Sequence, residues 1–118
     1  MKHSKRNRTL SRTRRGRTAL LRGLAVSLIR NGKIQTTTAK AKELRPIIER
    51  LVTLGKNDTV ATRRIVATRL GEPAANVVSK IFVEIAPRYA ERAGGYTRII
   101  KLGPVSPGRD ESIIEFVA

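Results

Sequence analysis

Most of the ionisable residues in this chain are cations, and the spacing of those cations indicates what they act on. Of 118 residues, 25 are Lys or Arg and 9 are Asp or Glu, for a formal charge of +16. The excess is local. Before Glu43, the first acidic residue, stand 13 of the 25 cations and no carboxylate; beyond it, the other 12 face all 9 acids. Like charges with nothing to pair against repel, so such a block requires an anionic partner. Residues 1–17 (MKHSKRNRTLSRTRRGR) carry Lys2, Lys5, Arg6, Arg8, Arg12, Arg14, Arg15 and Arg17, with only Met1 and Leu10 as apolar surface. Arg predominates there. Its planar guanidinium grips phosphate oxygens bidentately and stacks on bases, whereas an ammonium is a hydrated point charge. Nucleic acid is thus favoured over a generic acidic surface. With roughly 6 to 10 phosphate contacts, counterion release alone lowers affinity about 10³- to 10⁵-fold between 50 and 200 mM salt. Two blander explanations fit the same block: an Arg- and Ser-rich organelle transit peptide, which the missing amphipathic face argues against, and a merely solvated charge run.

The remaining reactive side chains are sparse enough to exclude whole classes of function. With no cysteine there is no disulfide, no thiolate nucleophile and no zinc site of the usual Cys-rich kind. His3 is the only histidine and lies in the basic tip, where a base or phosphate contact suits it better than a Ser-His-Asp arrangement. Gly94-Gly95 and the Gly103 to Gly108 stretch lack the Gly-Lys-Ser/Thr ending of a phosphate-transfer loop. The expectation is a binder, not an enzyme, with no catalytic residue, no metal, no cofactor and no small-molecule substrate. Only four aromatics are present, Phe82, Tyr89, Tyr96 and Phe116, too few to supply the stacking platforms of a recognition-motif sheet or an oligonucleotide-binding barrel. Recognition should therefore rest on charge and shape. No apolar stretch approaches the roughly 18 residues of a membrane span, and no secretory core follows the start, so a cytoplasmic location is expected, with a mitochondrial or plastid one as the alternative.

The elements that must position these cations follow from apolar periodicity. A length of 118 residues with 40% hydrophobic content suits one domain with a modest core. Leu20, Leu21, Leu24, Ala25, Leu28 and Ile29 recur at helical spacing from Thr18, with Arg22, Ser27 and Arg30 elsewhere on the wheel, and Asn31-Gly32 stops the helix. Lys33 to Thr37 reads as a short strand or extended link. Thr37 or Thr38 caps a second helix carrying Leu44, Ile47, Ile48, Leu51 and Val52, in which Pro46 predicts a kink or an interrupted start. Asp58 is the expected cap of a third helix bearing Val60, Ala61, Ile65 and Leu70, closed by Gly71. A fourth follows Pro73 with Val77, Val78, Ile81, Phe82 and Ile85 as a core stripe, ending near Pro87. Tyr96 to Gly103 and Ser112 to Ala118 read as an antiparallel hairpin around a Pro- and Gly-rich loop. The expected fold is α+β in two layers, in the order α-β-α-α-α-β-β, with helices packed on a small mixed sheet. Residues 1–17 form a basic arm, disordered without RNA, and residues 18–118 a single domain.

Two stretches say more than composition does. Ile34-Gln35-Thr36-Thr37-Thr38-Ala39-Lys40-Ala41-Lys42-Glu43-Leu44 and Arg92-Ala93-Gly94-Gly95-Tyr96-Thr97-Arg98-Ile99-Ile100-Lys101 resemble signatures of the bacterial-type large-subunit ribosomal protein family numbered seventeen. Met1-Lys2-His3, Leu10, Ser27-Leu28-Ile29, Leu51-Val52-Thr53-Leu54-Gly55-Lys56 and Ala86-Pro87-Arg88 resemble it too, so the match runs essentially end to end. The resemblance implies a structural protein of the large ribosomal subunit. It would be bound to large-subunit rRNA on the outer surface near the nascent-peptide exit, with other ribosomal proteins as neighbours and no obligate homo-oligomer. Departures are Gly16, where the family often has a histidine, and the Gly103 to Glu111 loop, onto which no RNA contact is carried. The chain also ends soon after its last strand, without the extension some relatives bear.

The matched residues make physical sense as RNA contacts. Gly94-Gly95 either lets the backbone approach a phosphate or simply turns the chain, and Arg92, Tyr96, Arg98 and Lys101 then reach sugar, base or phosphate. Lys40 and Lys42 sit near the N-terminal amides of the second helix. Arg22 and Lys33 complete the expected RNA-binding set with His3 and the cations of the arm. An architectural DNA binder and an RNA-modifying enzyme are the competing classes. Equal affinity for duplex DNA and structured rRNA would mark the first, turnover on RNA the second.

Overall fold

The computed structural model describes residues 13–118 and, at Val105, the backbone only. Lys2, His3, Lys5, Arg6, Arg8 and Arg12 lie outside the described residues. Helix α1 spans Arg14–Asn31 and starts four residues earlier than the apolar periodicity suggests. Its beginning is set by a cap: the Thr13 side chain accepts from the Gly16 amide at 3.1 Å, replacing a hydrogen bond that no preceding turn can supply. Arg14, Arg15 and Arg17 are therefore helical, although the arm was expected to run to residue 17. Gly32 ends α1 in the left-handed conformation, φ 80°, its amide returning to the Leu28 carbonyl.

Strand β1 (Lys33–Thr37) leads directly into α2 (Thr38–Gly55), capped by Thr37. Helix α2 runs unbroken through Pro46, so the interrupted start is not found; the proline ring is exposed, where its missing N–H disturbs no packing. Helix α3 (Val60–Arg69) is capped by Thr59 in a reciprocal box with Thr62, not by Asp58. Asp58 instead takes a two-pronged bond from the Arg63 guanidinium at 2.6 and 2.9 Å. The α3 stripe is also shifted: Val66 and Leu70 are buried, while Val60 and Ile65 remain 67% and 40% exposed. A helix this short buries only the residues facing α2 and α4, and tertiary contact overrides its local pattern. Gly71, at φ 79°, closes it.

Helix α4 (Ala75–Lys80) continues through a π-helical turn, Ile81–Ile85, into a last helical turn, α5 (Ala86–Arg88). The Ala86 amide reaches back to the Ile81 carbonyl, widening the turn just before Pro87, which has no amide to offer. Val77, Val78, Ile81, Phe82 and Ile85 are all buried, as their spacing predicts.

Strands β2 (Thr97–Ser106) and β3 (Arg109–Phe116) form the expected antiparallel hairpin, with β1 on the other side of β3. Both pairings are antiparallel, so the sheet is not mixed: β1 enters from α1 in the direction opposite to β3. The expected loop is mostly strand, because register shifts between Lys101 and Gly103 and between Pro104 and Ser106 absorb the residues that break a regular ladder. On the inner face Ile34, Ile114 and Ile99 stand side by side across the three strands and pack into the core. Helix α2 covers that face and touches α1, α3 and the π turn on its other sides, giving the two-layer α+β architecture.

At Gly55 α2 comes close to the π turn and α5: a Cβ there would meet Ile81 Cγ2 at 2.8 Å and Ala86 Cβ at 3.0 Å. At Gly23, on the exposed side of α1, nothing lies within 4 Å. The same substitution should thus act in opposite directions. Gly55→Ala is expected to lower stability by about 1–3 kcal/mol through overpacking, and Gly23→Ala to raise it by about 0.5–1 kcal/mol through helix propensity. Urea unfolding of the two variants checks both signs.

Candidate nucleic-acid interface

The cations expected to meet RNA come from separate elements, and the structure brings some of them together. Arg17 and Arg22 stand five residues apart on α1, and both border the cleft toward α2 and α3. There they line a cleft of about 580 Å³ with Arg50 of α2 and Arg69 of α3. Its floor is apolar: Leu21, Ala25, Ile47, Leu51 and Leu70. No carboxylate lines it. Arg22 is held in place by the C-terminal end of α3, where its Nε donates to the Arg69 carbonyl at 3.2 Å and its Nη2 to the Thr68 carbonyl at 3.4 Å. The Thr68 carbonyl also accepts from the Gly71 amide at 3.1 Å, and both carbonyls lie at the negative pole of α3, where a guanidinium is well placed.

Arg50 and Arg69 also line a second, shallower hollow of about 350 Å³, shared with Glu49, Thr53, Leu54, Gly94 and Tyr96. The two hollows therefore form one band from α1 to the loop before β2, linked by two arginines that sequence reasoning missed. Both lie beyond the acid-free block, and nothing near them in sequence marks them. The apolar stripe of α2 offered the one usable signal: Arg50 stands beside Leu51 and three residues after Ile47, on the flank of the buried face.

The loop before β2 is shaped by its glycines. Gly94 and Gly95 have φ of 117° and 65°, and a Cβ at either would meet nothing within 4 Å. Conformation, not crowding, requires glycine here, and the open space leaves the backbone accessible. The loop is tied down from two sides: Arg92 Nη1 donates to the Gly95 carbonyl at 3.2 Å, and Lys56 Nζ donates to the Arg92 carbonyl. Lys56 Nζ also lies 4.8 Å from the centre of the Tyr96 ring.

Tyr96 corrects an expectation. It is 1% exposed, packs against Tyr89 with ring centres 5.2 Å apart and pairs its hydroxyl with Thr53 Oγ1 at 3.1 Å. A ring so enclosed presents no face to a base; Tyr96 holds the loop instead. The Lys56 ammonium, with the Thr53 hydroxyl, draws its phenol below the ordinary tyrosine range.

The other candidates sit elsewhere. Lys33 and Arg98 are register partners of Glu115 on the sheet face away from α2, and Arg98 Nε binds the Glu115 carboxylate at 2.6 Å. Lys101 is exposed on β2. Lys42 is exposed and Lys40 half-buried at the start of α2, where the Lys40 amide is already used by the Thr37 cap at 3.4 Å. Arg14 and Arg15 are exposed in the first turn of α1, which carries no acid, so their charges oppose the positive end of the helix. Among the described residues no group of His, Cys, Asp and Glu is arranged to hold a metal, and no helix is long and apolar enough to cross a membrane.

Residues 20–117 match the family model described as ribosomal protein L17. The chain belongs to the ribosomal protein L17 family. Curated relatives named large ribosomal subunit protein bL17 include those of Exiguobacterium sp. (strain ATCC BAA-1283 / AT1b), 52% identical over 112 residues, and Shouchella clausii, 50% identical over 115. In both comparisons the match covers 92% of this chain and 96% of the relative. Members of this family are ribosomal proteins rather than enzymes.

The hairpin that carries Arg98 and Lys101 depends on a carboxylate. Glu111 accepts from Gln35 Nε2 of β1 at 3.1 Å and from Arg109 Nε at 2.8 Å. The Gln35 amide first, and then Arg109, hold its carboxyl below the ordinary value of 4.5. A carboxyl whose pKa is depressed on folding stabilises the fold above its unfolded pKa and loses that contribution as pH falls through the folded one. Thermal stability should therefore drop on acidification below about pH 4.5, and Glu111→Gln should flatten part of that fall. A fall in melting temperature between pH 5 and pH 2 as steep in the variant as in the parent would contradict the assignment.

Proposed function

We propose that this chain is a structural component of the large ribosomal subunit that binds and stabilises large-subunit rRNA. The observation that carries it is the band of Arg17, Arg22, Arg50 and Arg69, a concave basic surface in which no carboxylate lines the main cleft. The acid-free opening of the chain adds Lys2, Lys5, Arg6, Arg8 and Arg12 to the same task, as an arm that orders on RNA. Phosphates near the start of α1 would also relieve the repulsion among Arg14, Arg15 and Arg17 at the positive end of that helix. The Gly94-Gly95 loop, fixed by Arg92 and Lys56, offers backbone amides at the other end of the band.

The role is positional, with no chemistry, in the cytoplasmic ribosome. The core closes within one chain, which supports action as a monomer set among other ribosomal proteins. A place near the nascent-peptide exit accords with the family resemblance. Filter binding of the full chain to large-subunit rRNA over a salt series tests this. Deleting residues 1–12 should leave cooperative unfolding intact, because the Thr13 cap is kept, and reduce the salt slope by about 3 to 5 units, one for most cations removed. Equal affinity and equal slope for rRNA and duplex DNA would overturn the proposal in favour of an architectural DNA binder.

A further inference from the structure

The cleft between α1, α2 and α3 is built for more than phosphate. Phosphate contacts need only cations on an accessible surface, yet here four arginines rim a 580 Å³ concavity floored by Leu21, Ile47 and Leu70. That volume is within the roughly 300–1,000 Å³ of sites that take small organic ligands. Leu21 and Ile47 are only half-buried, so apolar surface is left uncovered at the base of a ring of charge. No aromatic ring lines the cleft: Phe82, Tyr89 and Tyr96 are 4%, 3% and 1% exposed, and Phe116 is half-buried at the end of β3 against the core. A protein that reads unpaired bases ordinarily stacks them on such rings. Guanidinium planes over an aliphatic floor supply the same combination of flat contact and charge.

We propose that this cleft receives a single unstacked base of the bound RNA, with its flanking phosphates on the arginine rim. The base lies against Leu21 and Ile47, and Arg50 and Arg69, which have no carboxylate partner among the described ion pairs, take the phosphates on either side. Arg22, anchored on the Thr68 and Arg69 carbonyls, is held at the rim before RNA arrives, so little ordering remains on binding. This deepens the RNA-binding reading above and rests on it.

Two measurements on the full chain with large-subunit rRNA test the assignment. Ultraviolet crosslinking followed by peptide sequencing should join RNA to peptides carrying Leu21 or Ile47; crosslinks confined to peptides outside the cleft would overturn it. Ile47→Trp fills the cleft without altering any charge and is expected to weaken rRNA binding about tenfold at an unchanged salt slope, the size of one lost base contact. Arg50→Ala should lower both affinity and slope. Leu21→Phe serves the same purpose if the Trp variant fails to unfold cooperatively. Unchanged affinity in a folded, cleft-filled variant would refute base capture while leaving rRNA binding standing, whereas absence of rRNA affinity in the parent chain would refute the broader proposal.

Discussion

Gly55 in the last turn of α2 sits so near Ile81 and Ala86 that a single added methyl would meet them at 2.8 and 3.0 Å. That approach is one point of a more general constraint, the burial of α2 between the sheet on one side and α1, α3 and the π turn on the others. Ala41, Leu44, Ile48, Leu51 and Val52 are all closed off from solvent, facing in more than one direction. A helix enclosed in this way has only a narrow strip on which charge can remain hydrated. Arg50 occupies that strip beside the α1–α3 cleft, and Glu49 lies next to it, half-buried, accepting from the Thr97 amide and hydroxyl at 3.2 and 2.9 Å. The placement of the basic band is thus a consequence of how completely the rest of α2 is covered.

Burial of the aromatic residues and exposure of the arginines are two sides of the same arrangement. Tyr89 and Tyr96 pack ring against ring beneath the Gly94-Gly95 loop, and their hydroxyls reach the Val117 carbonyl and Thr53. Each buried phenol therefore has a polar partner, as a low-dielectric interior demands. With the rings committed to the interior, the accessible recognition chemistry of the described residues is guanidinium, ammonium and open backbone. Arg22 and Lys80 also act internally, donating to the last carbonyls of α3 and α1. In so basic a chain some cations are spent on helix ends, while the carboxylates pair mainly around α3 and along the hairpin.

Long apolar stripes and turn residues were legible before any coordinates. The five-residue stripe from Val77 to Ile85 is buried throughout, Thr37 caps α2, and Gly71 ends α3 where a left-handed residue was needed. Short elements were less legible. Helix α3 has only 10 residues, so its buried side was chosen by its neighbours, and Thr59 caps it while the Asp58 carboxylate is taken by Arg63. The hairpin grew through its expected loop because bulges tolerate Gly103 and Pro104 in a ladder that a regular strand would not.

The sequence alone determined that the chain is strongly basic, with its excess charge concentrated before Glu43 and no cysteine, because charge and residue content are properties of composition and do not depend on folding. It also determined the family, through motifs spread along its length. Only the tertiary structure decided which cations stand together. Arg17, Arg22, Arg50 and Arg69 are scattered over 53 positions and meet because three helices pack side by side, and Tyr96 is enclosed because a large ring gains more from burial than from exposure. Periodicity fixes which face of a helix is apolar. It does not fix which other helix that face meets, and the site is formed at that meeting.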